Sequence, residues 1–290
     1  MQAGDVIIYR PSDSDALKRS LAKSMRYALV SFPFTVNRMN LKNPRSRIAN
    51  ILKGKLAEAL LELYGVENNI PMDFSAGETP FWTSDNFDFK LGNTAFDLKN
   101  NFVNTDETMA SHRYLHLPAL VPNRFDGDQW SKRNSHPENA LRRAFVFSFI
   151  SQGRSFKSPL FDLHLEPEQV NFLVRIAERF SHVEIQTAPF AEEWFLDELS
   201  RRGPEPRMEL RRSLELVVCG MATGVDFDKF LDTDGVDAFG YAMYQKRWYT
   251  LRQRLGLSFM DGLVTTKIKN ATCPMEALPS FSSFLRAFEK

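Results

Sequence analysis

The chain of 290 residues has only two cysteines, Cys219 and Cys273, and no C-x-x-C pair. That excludes a disulfide framework and a cysteine-built zinc site. No run of 18 apolar residues occurs, so no transmembrane helix is expected. The opening stretch, M-Q-A-G-D-V-I-I-Y-R, is too short and too charged for a signal peptide. Together these absences lead to the expectation of a cytoplasmic protein without membrane contact. There is no phosphate-cradling glycine loop, no G-x-S-x-G turn and no dinucleotide fingerprint. Internal repeats and low-complexity tails are absent too. His112 and His116 lie four apart, but no acidic third ligand stands at a metal-motif spacing, so zinc is not expected. The segment Asp232 to Gly235 superficially suits a calcium loop. Phe230 and Tyr241 occupy two of its ligand places, which excludes it.

What is present is core material: 43% hydrophobic residues, 25 of them Phe, enough for one large domain or two small ones. Net charge is +1, and its distribution says more than its size. Residues 1–55 hold eleven Lys and Arg against three Asp, net +8, and the rest holds 26 against 33, net −7. Clustered basic residues suit a polyanion backbone. They equally suit basic helices paired with acidic surface within the fold.

The stretch from Asn86 to Asn100, N-F-D-F-K-L-G-N-T-A-F-D-L-K-N, reads as a β-hairpin. Gly92-Asn93 supplies a two-residue turn, because both residues tolerate positive φ. Folding there sets Leu91 against Thr94, Phe89 against Phe96 and Asp88 against Asp97. One face then carries Phe87, Phe89, Leu91, Thr94, Phe96 and Leu98. The other carries Asn86, Asp88, Lys90, Ala95, Asp97 and Lys99. A slip of one residue would scramble the two faces, so the register is well specified. The two opposed carboxylates, with Cβ atoms about 5 Å apart, repel each other. A hard divalent cation held by oxygen would relieve them. Lys99 lies on the same face, two residues beyond Asp97. The alternative is a solvated strand face on which Lys90 and Lys99 neutralise the acids.

Asp88 followed by Asp97-Leu98-Lys99 resembles the D…(D/E)xK signature of the PD-(D/E)XK nuclease superfamily, with Phe87 where that family usually has Pro. Upstream, Ile48, Ile51, Leu52, Leu56, Ala59, Leu60 and Leu63 mark a helix from about Ser46 to Tyr64, with Gly65 as its stop. Within it, Gly54-Lys55-Leu56-Ala57-Glu58 resembles the G-x-x-x-E helix that precedes the hairpin in such nucleases. Glu62 is the alternative acid, and an ordinary exposed Glu58 beside Lys55 is the plain reading.

The resemblance implies a restriction-endonuclease-like α/β core: a central mixed β-sheet flanked by helices. It is preceded by a basic strand and helix over residues 1–36, spans residues 37–202 with a long insertion at 102–141, and is followed by an α+β region over 203–290 for DNA recognition or dimerisation. It implies Asp88, Asp97, Glu58 and the carbonyl of Leu98 as ligands of one or two Mg²⁺, with Mn²⁺ as a substitute, and Lys99 as the cation at the reacting phosphate. The implied activity is hydrolysis of phosphodiester bonds in double-stranded DNA, most like a type II restriction enzyme acting as a homodimer, with a separately encoded DNA methyltransferase as its counterpart. A structure-directed or low-specificity defence nuclease, and a catalytically silent DNA-binding module, are the alternatives. Arg38, Lys42, Arg45, Arg47 and Lys55 are the residues expected to track DNA phosphates.

For the rest, a strand is predicted over Asp5 to Arg10 and a helix over Ser14 to Val30, capped by Ser12 or Asp13 and broken by Pro33. A basic loop follows over Asn37 to Arg47. Strands are predicted over Ile70 to Phe74, Ala144 to Ile150 (buried and central), Pro159 to Leu165, His182 to Thr187, Leu214 to Cys219 and Leu263 to Lys269. Helices are predicted over Pro167 to Phe180, Glu192 to Arg202, Val236 to Leu255 and Phe281 to Phe288.

Overall fold

The computed structural model describes the chain except residues 40–42, 106, 108, 124–125, 135–141, 154–159, 181–184, 233–240, 245–246, 251–256, 260–262, 267–268 and 289–290. For 36–39, 134, 142, 231–232, 241–244, 247–250, 257–259 and 265 it describes the backbone alone.

The first half runs β1 (Ile7–Tyr9), α1 (Asp15–Met39), α2 (Pro44–Glu67), β2 (Phe89–Leu91), β3 (Thr94–Val103), α3 (Ser111–Tyr114), β4 (Pro118–Pro122) and β5 (Arg142–Ser151). It continues through β6 (Phe161–His164), α4 (Pro167–Phe180), α5 (Glu192–Ser200), β7 (Arg207–Leu210), β8 (Leu216–Ala222) and β9 (Leu231–Asp232). The last part holds β10 (Tyr241–Tyr244), β11 (Arg247–Thr250), β12 (Leu257–Phe259), β13 (Val264–Thr266), β14 (Asn270–Pro274) and α6 (Phe281–Leu285).

This is a mixed α/β architecture built on a five-stranded mixed sheet in the order β1-β8-β5-β3-β2. β3 and β5 run parallel over their whole length, and the other neighbours are antiparallel. β5 is apolar at nearly every position because it is covered on both faces. Ala144, Val146 and Ile150 join the core under the helices, with Leu52, Leu56 and Leu60 of α2 and Leu173 of α4. Phe145, Phe147 and Phe149 join a second core with β4, β14 and Tyr114. Phe89 stacks on Phe96 (centroids 5.0 Å) and on Phe74 (4.9 Å) in the first core. Truncating such a fully buried Phe costs about 3–5 kcal/mol.

Residues 1–36 are woven into the same fabric, since β1 pairs with β8 and Leu29 and Phe32 of α1 lie in the helical core. From the other end of the chain, α6 adds Phe281 and Leu285 to that core. No helix among the described residues is long and apolar enough to cross a membrane. Both cysteines are free and buried, and burial pushes the Cys273 thiol up to about 11.

Several predicted elements are corrected. α1 does not break at Pro33 but runs through it, and Ser14 caps it: its Oγ accepts the Leu17 N–H at 3.2 Å. A mid-helix proline forfeits one backbone bond; packing of α1 on α2 outweighs that loss. The predicted basic loop is mostly helix, with Asn43 capping α2. Nor does α2 stop at Gly65. It runs to Glu67 and is terminated by Asn68 and Asn69, the latter at φ +55°, while Gly65 lets the helix close on Met72. The predicted strand over Ile70 to Phe74 is reduced to one bridge, Asp73 to Lys90. The predicted helix over Val236 to Leu255 is contradicted by the hairpin of β10 and β11, with Ala242 opposite Tyr249 and Met243 opposite Trp248. Its aromatics fit a pleated strand as readily as a helical stripe. The strand predicted over His182 to Thr187 falls partly outside the described residues, and 185–187 form no strand.

Candidate active site

The hairpin forms in the expected register, with Phe89 opposite Phe96 and Leu91 opposite Thr94. Gly92 sits at φ +58°, the left-handed conformation that the turn demands. The ladder stops at Phe89, so Asp88 lies one step beyond it. Its N–H donates to the Phe96 carbonyl at 2.8 Å. Its Oδ2 then accepts the Leu98 N–H at 2.6 Å. The carboxylate therefore takes the place of the missing strand and caps the open edge of β3. The Leu98 carbonyl points to the same side as its N–H, toward that open edge. Gly77 presses from behind: a Cβ there would lie 2.5 Å from the Asp88 carbonyl oxygen.

Asp97 is held at both oxygens. Lys99 Nζ donates to Oδ1, and Arg143 Nη2 donates to Oδ2 at 2.9 Å. The parallel register explains Arg143. Asp97 sits beside Phe145, and Arg143 precedes Phe145 by two residues on the same face. Both cations lie over the Phe145 ring, at 5.2 and 5.7 Å from its centroid. The Lys99 side chain is only 8% exposed and that of Asp97 13%.

Glu58 approaches from α2. Lys55 Nζ bridges Glu58 at 2.7 Å and Asp85 at 3.1 Å, and Thr79 donates to Asp85. The Tyr27 ring of α1 lies under the same ammonium, 4.5 Å away. Lys23, Arg26, Tyr27, Lys55, Glu58 and Asp88 line a cavity of about 390 Å³, and Glu62 lines it as well.

The acids feel one another. Burial, then the Glu58 and Asp97 charges, push the Asp88 carboxyl well above the ordinary carboxylate range. Glu58 is raised too, by burial and by Asp85 and Asp97, against the pull of Lys55. Asp97 goes the other way: burial opposes its charge, but Lys99 and Arg143 hold it below its ordinary value. Four carboxylates, Glu58, Asp85, Asp88 and Asp97, thus meet three cations, Lys55, Lys99 and Arg143, leaving one negative charge in excess when all are ionised.

Among the described residues, no three His, Cys, Asp or Glu stand close enough to cage an ion as they are. The chemistry of the donor set nevertheless fits a hard cation. All the donors are oxygens, they come from α2, from β3 and from the residue just before β2, and Asp97 raises the cost of ionising both Glu58 and Asp88.

Of the residues expected to track DNA, Arg45 is exposed but donates to the Leu165 carbonyl at 2.6 Å. Arg47 is buried against the Phe32 ring at 5.6 Å, and Lys55 belongs to the acid cluster. The Arg38 side chain and Lys42 lie outside the described residues. His116 is 3.8 Å from Glu276, far from the hairpin in sequence and not part of the acid cluster. Arg143, Asp85 and Thr79 are the members that sequence reasoning missed. Arg143 becomes visible only once the parallel register is known. Compared with known protein families, with characterised proteins and with solved structures, the chain matches none.

Proposed function

We propose that this chain is a Mg²⁺-dependent DNA endonuclease on a restriction-endonuclease-like core. The observation that carries the reading is Asp88 on the open edge of β3, within electrostatic reach of Glu58 on α2 and of Asp97, with Lys99 on Asp97. An ordinary solvated hairpin face has no reason to draw acids that repel one another partly out of water.

Asp88, Asp97, Glu58 and the Leu98 carbonyl are the residues that would hold Mg²⁺. When bound, the metal supplies Lewis acidity and a water of lowered pKa. The chain's own part is to supply a directed positive charge and exclude bulk water. Lys99 donates to a non-bridging phosphate oxygen and steadies charge that grows in the transition state. Phe145 beneath it, and its near-complete burial, keep competing water away. Double-stranded DNA is the substrate, cut to 5′-phosphate and 3′-hydroxyl ends. The specificity is that of a type II enzyme, working as a homodimer beside a separate methyltransferase. Base reading falls to side chains outside the core, in 102–141 and 203–290.

Digestion of a mapped plasmid, with end sequencing of the fragments, tests this reading. Mg²⁺ permits cutting into fixed bands and EDTA abolishes it. Asp97→Ala and Lys99→Ala lose cutting yet bind DNA within about tenfold of the parent chain. Full activity in either variant, or no cutting with Mg²⁺ or Mn²⁺, overturns it.

A further inference from the structure

Arg143 belongs to neither the hairpin nor the helix that carry the resemblance, yet it takes one of the two oxygens of Asp97. The difficulty it addresses is geometric. Lys99 is buried and committed to Asp97 Oδ1. To reach a phosphate it must loosen that bond. Breaking a buried ion pair is costly, because one charge is left uncompensated. With Arg143 on Oδ2, Asp97 keeps a cation when Lys99 turns away. The guanidinium is well suited to staying behind. It is 12% exposed, it comes from the central strand, and it is packed over Phe145.

We infer that Arg143 is a positioning residue that compensates Asp97 and so releases Lys99 to the DNA phosphate. This rests on the nuclease reading given above. Arg143 acts through Lys99 and makes no phosphate contact of its own, so its effect on DNA binding vanishes when Lys99 is gone.

The test is a double-mutant cycle on DNA affinity in EDTA, where no cutting occurs, using the full chain and a 30-base-pair duplex. Lys99→Met and Arg143→Met each weaken binding by about fivefold, and the double variant is no weaker than Lys99→Met alone. Arg143→Lys, which keeps a cation on Asp97, restores most of the affinity. Losses that multiply to about 25-fold would show an independent phosphate contact and overturn the inference. An unchanged Arg143→Met would overturn it as well, leaving the nuclease reading intact. If Lys99→Met binds as the parent chain does, the phosphate role of Lys99 falls and the inference falls with it. Should Arg143→Met fail to fold, the cycle is run with Asp97→Asn. Lys99 is already free in that background, so adding Arg143→Gln changes affinity less than twofold, and a larger change overturns the inference.

Discussion

A lone buried carboxylate and a part-buried cluster of four can be set side by side. Glu215, on the segment entering β8, accepts from Arg10 at 2.7 Å and from the Tyr114 hydroxyl at 3.3 Å. One acid meets one cation and one phenol, and the account closes. At the hairpin, four acids meet three cations and two of the acids are pushed toward protonation. The first arrangement joins the N-terminal strand to β8 and to α3. The second makes the fold less comfortable than it need be. Surplus like charge that a fold retains without structural benefit points to a ligand of opposite charge.

Activity separates the two sets of acids most widely. Asp97→Ala or Lys99→Ala is expected to lower the cutting rate by at least about 10²–10³-fold, the scale of losing one preorganised electrostatic group. Glu215→Gln should leave the rate at 25 °C untouched. If Glu215→Gln silences cutting as fully as Lys99→Ala, the two clusters are not different in kind. Stability separates them in the opposite sense. Glu215→Gln leaves Arg10 without its carboxylate and should cost about 2 kcal/mol, read as a lower midpoint in urea. Arg10 is half exposed, which keeps the loss moderate.

Asp88→Asn should do the reverse, gaining roughly 1–2 kcal/mol at neutral pH while abolishing cutting. The amide oxygen can still accept the Leu98 N–H, and the repulsion is gone. The sign follows from linkage. The folded Asp88 carboxyl titrates above its unfolded value, so the native state binds the extra proton in that window. Stability of the metal-free parent chain therefore falls as pH rises through it, and the advantage of Asp88→Asn shrinks as pH is lowered toward 4. Urea melts in EDTA at a series of pH values would show this. A constant difference across pH would mean that Asp88 is not under charge strain.

Much of the candidate site was legible because it lies in one hairpin. Alternation from Phe87 to Lys99, and the Gly92 turn, encode register locally. The helix carrying Glu58 was legible from its apolar stripe. The remainder was hidden for physical reasons. Arg143 reaches Asp97 through a parallel pairing between strands separated by the insertion, and such pairings leave no local trace. Asp85 and Thr79 come from an irregular loop, where no period announces which way a side chain turns. The misread stretch of Tyr241, Tyr244 and Trp248 failed because spacings of three and four satisfy both a helical stripe and two facing strands. Pro33 misled because tertiary packing overrode a local rule.

Whether the crowded acids share a cation is read by calorimetric titration of Mg²⁺ or Mn²⁺ into the DNA-bound chain under non-cutting conditions, with Lys99→Ala as the inactive host. One or two ions should bind, and Asp88→Ala or Asp97→Ala added to that host should remove the binding. A host that binds neither metal, or that binds them equally well without Asp88 and Asp97, would refute a shared cation at this site.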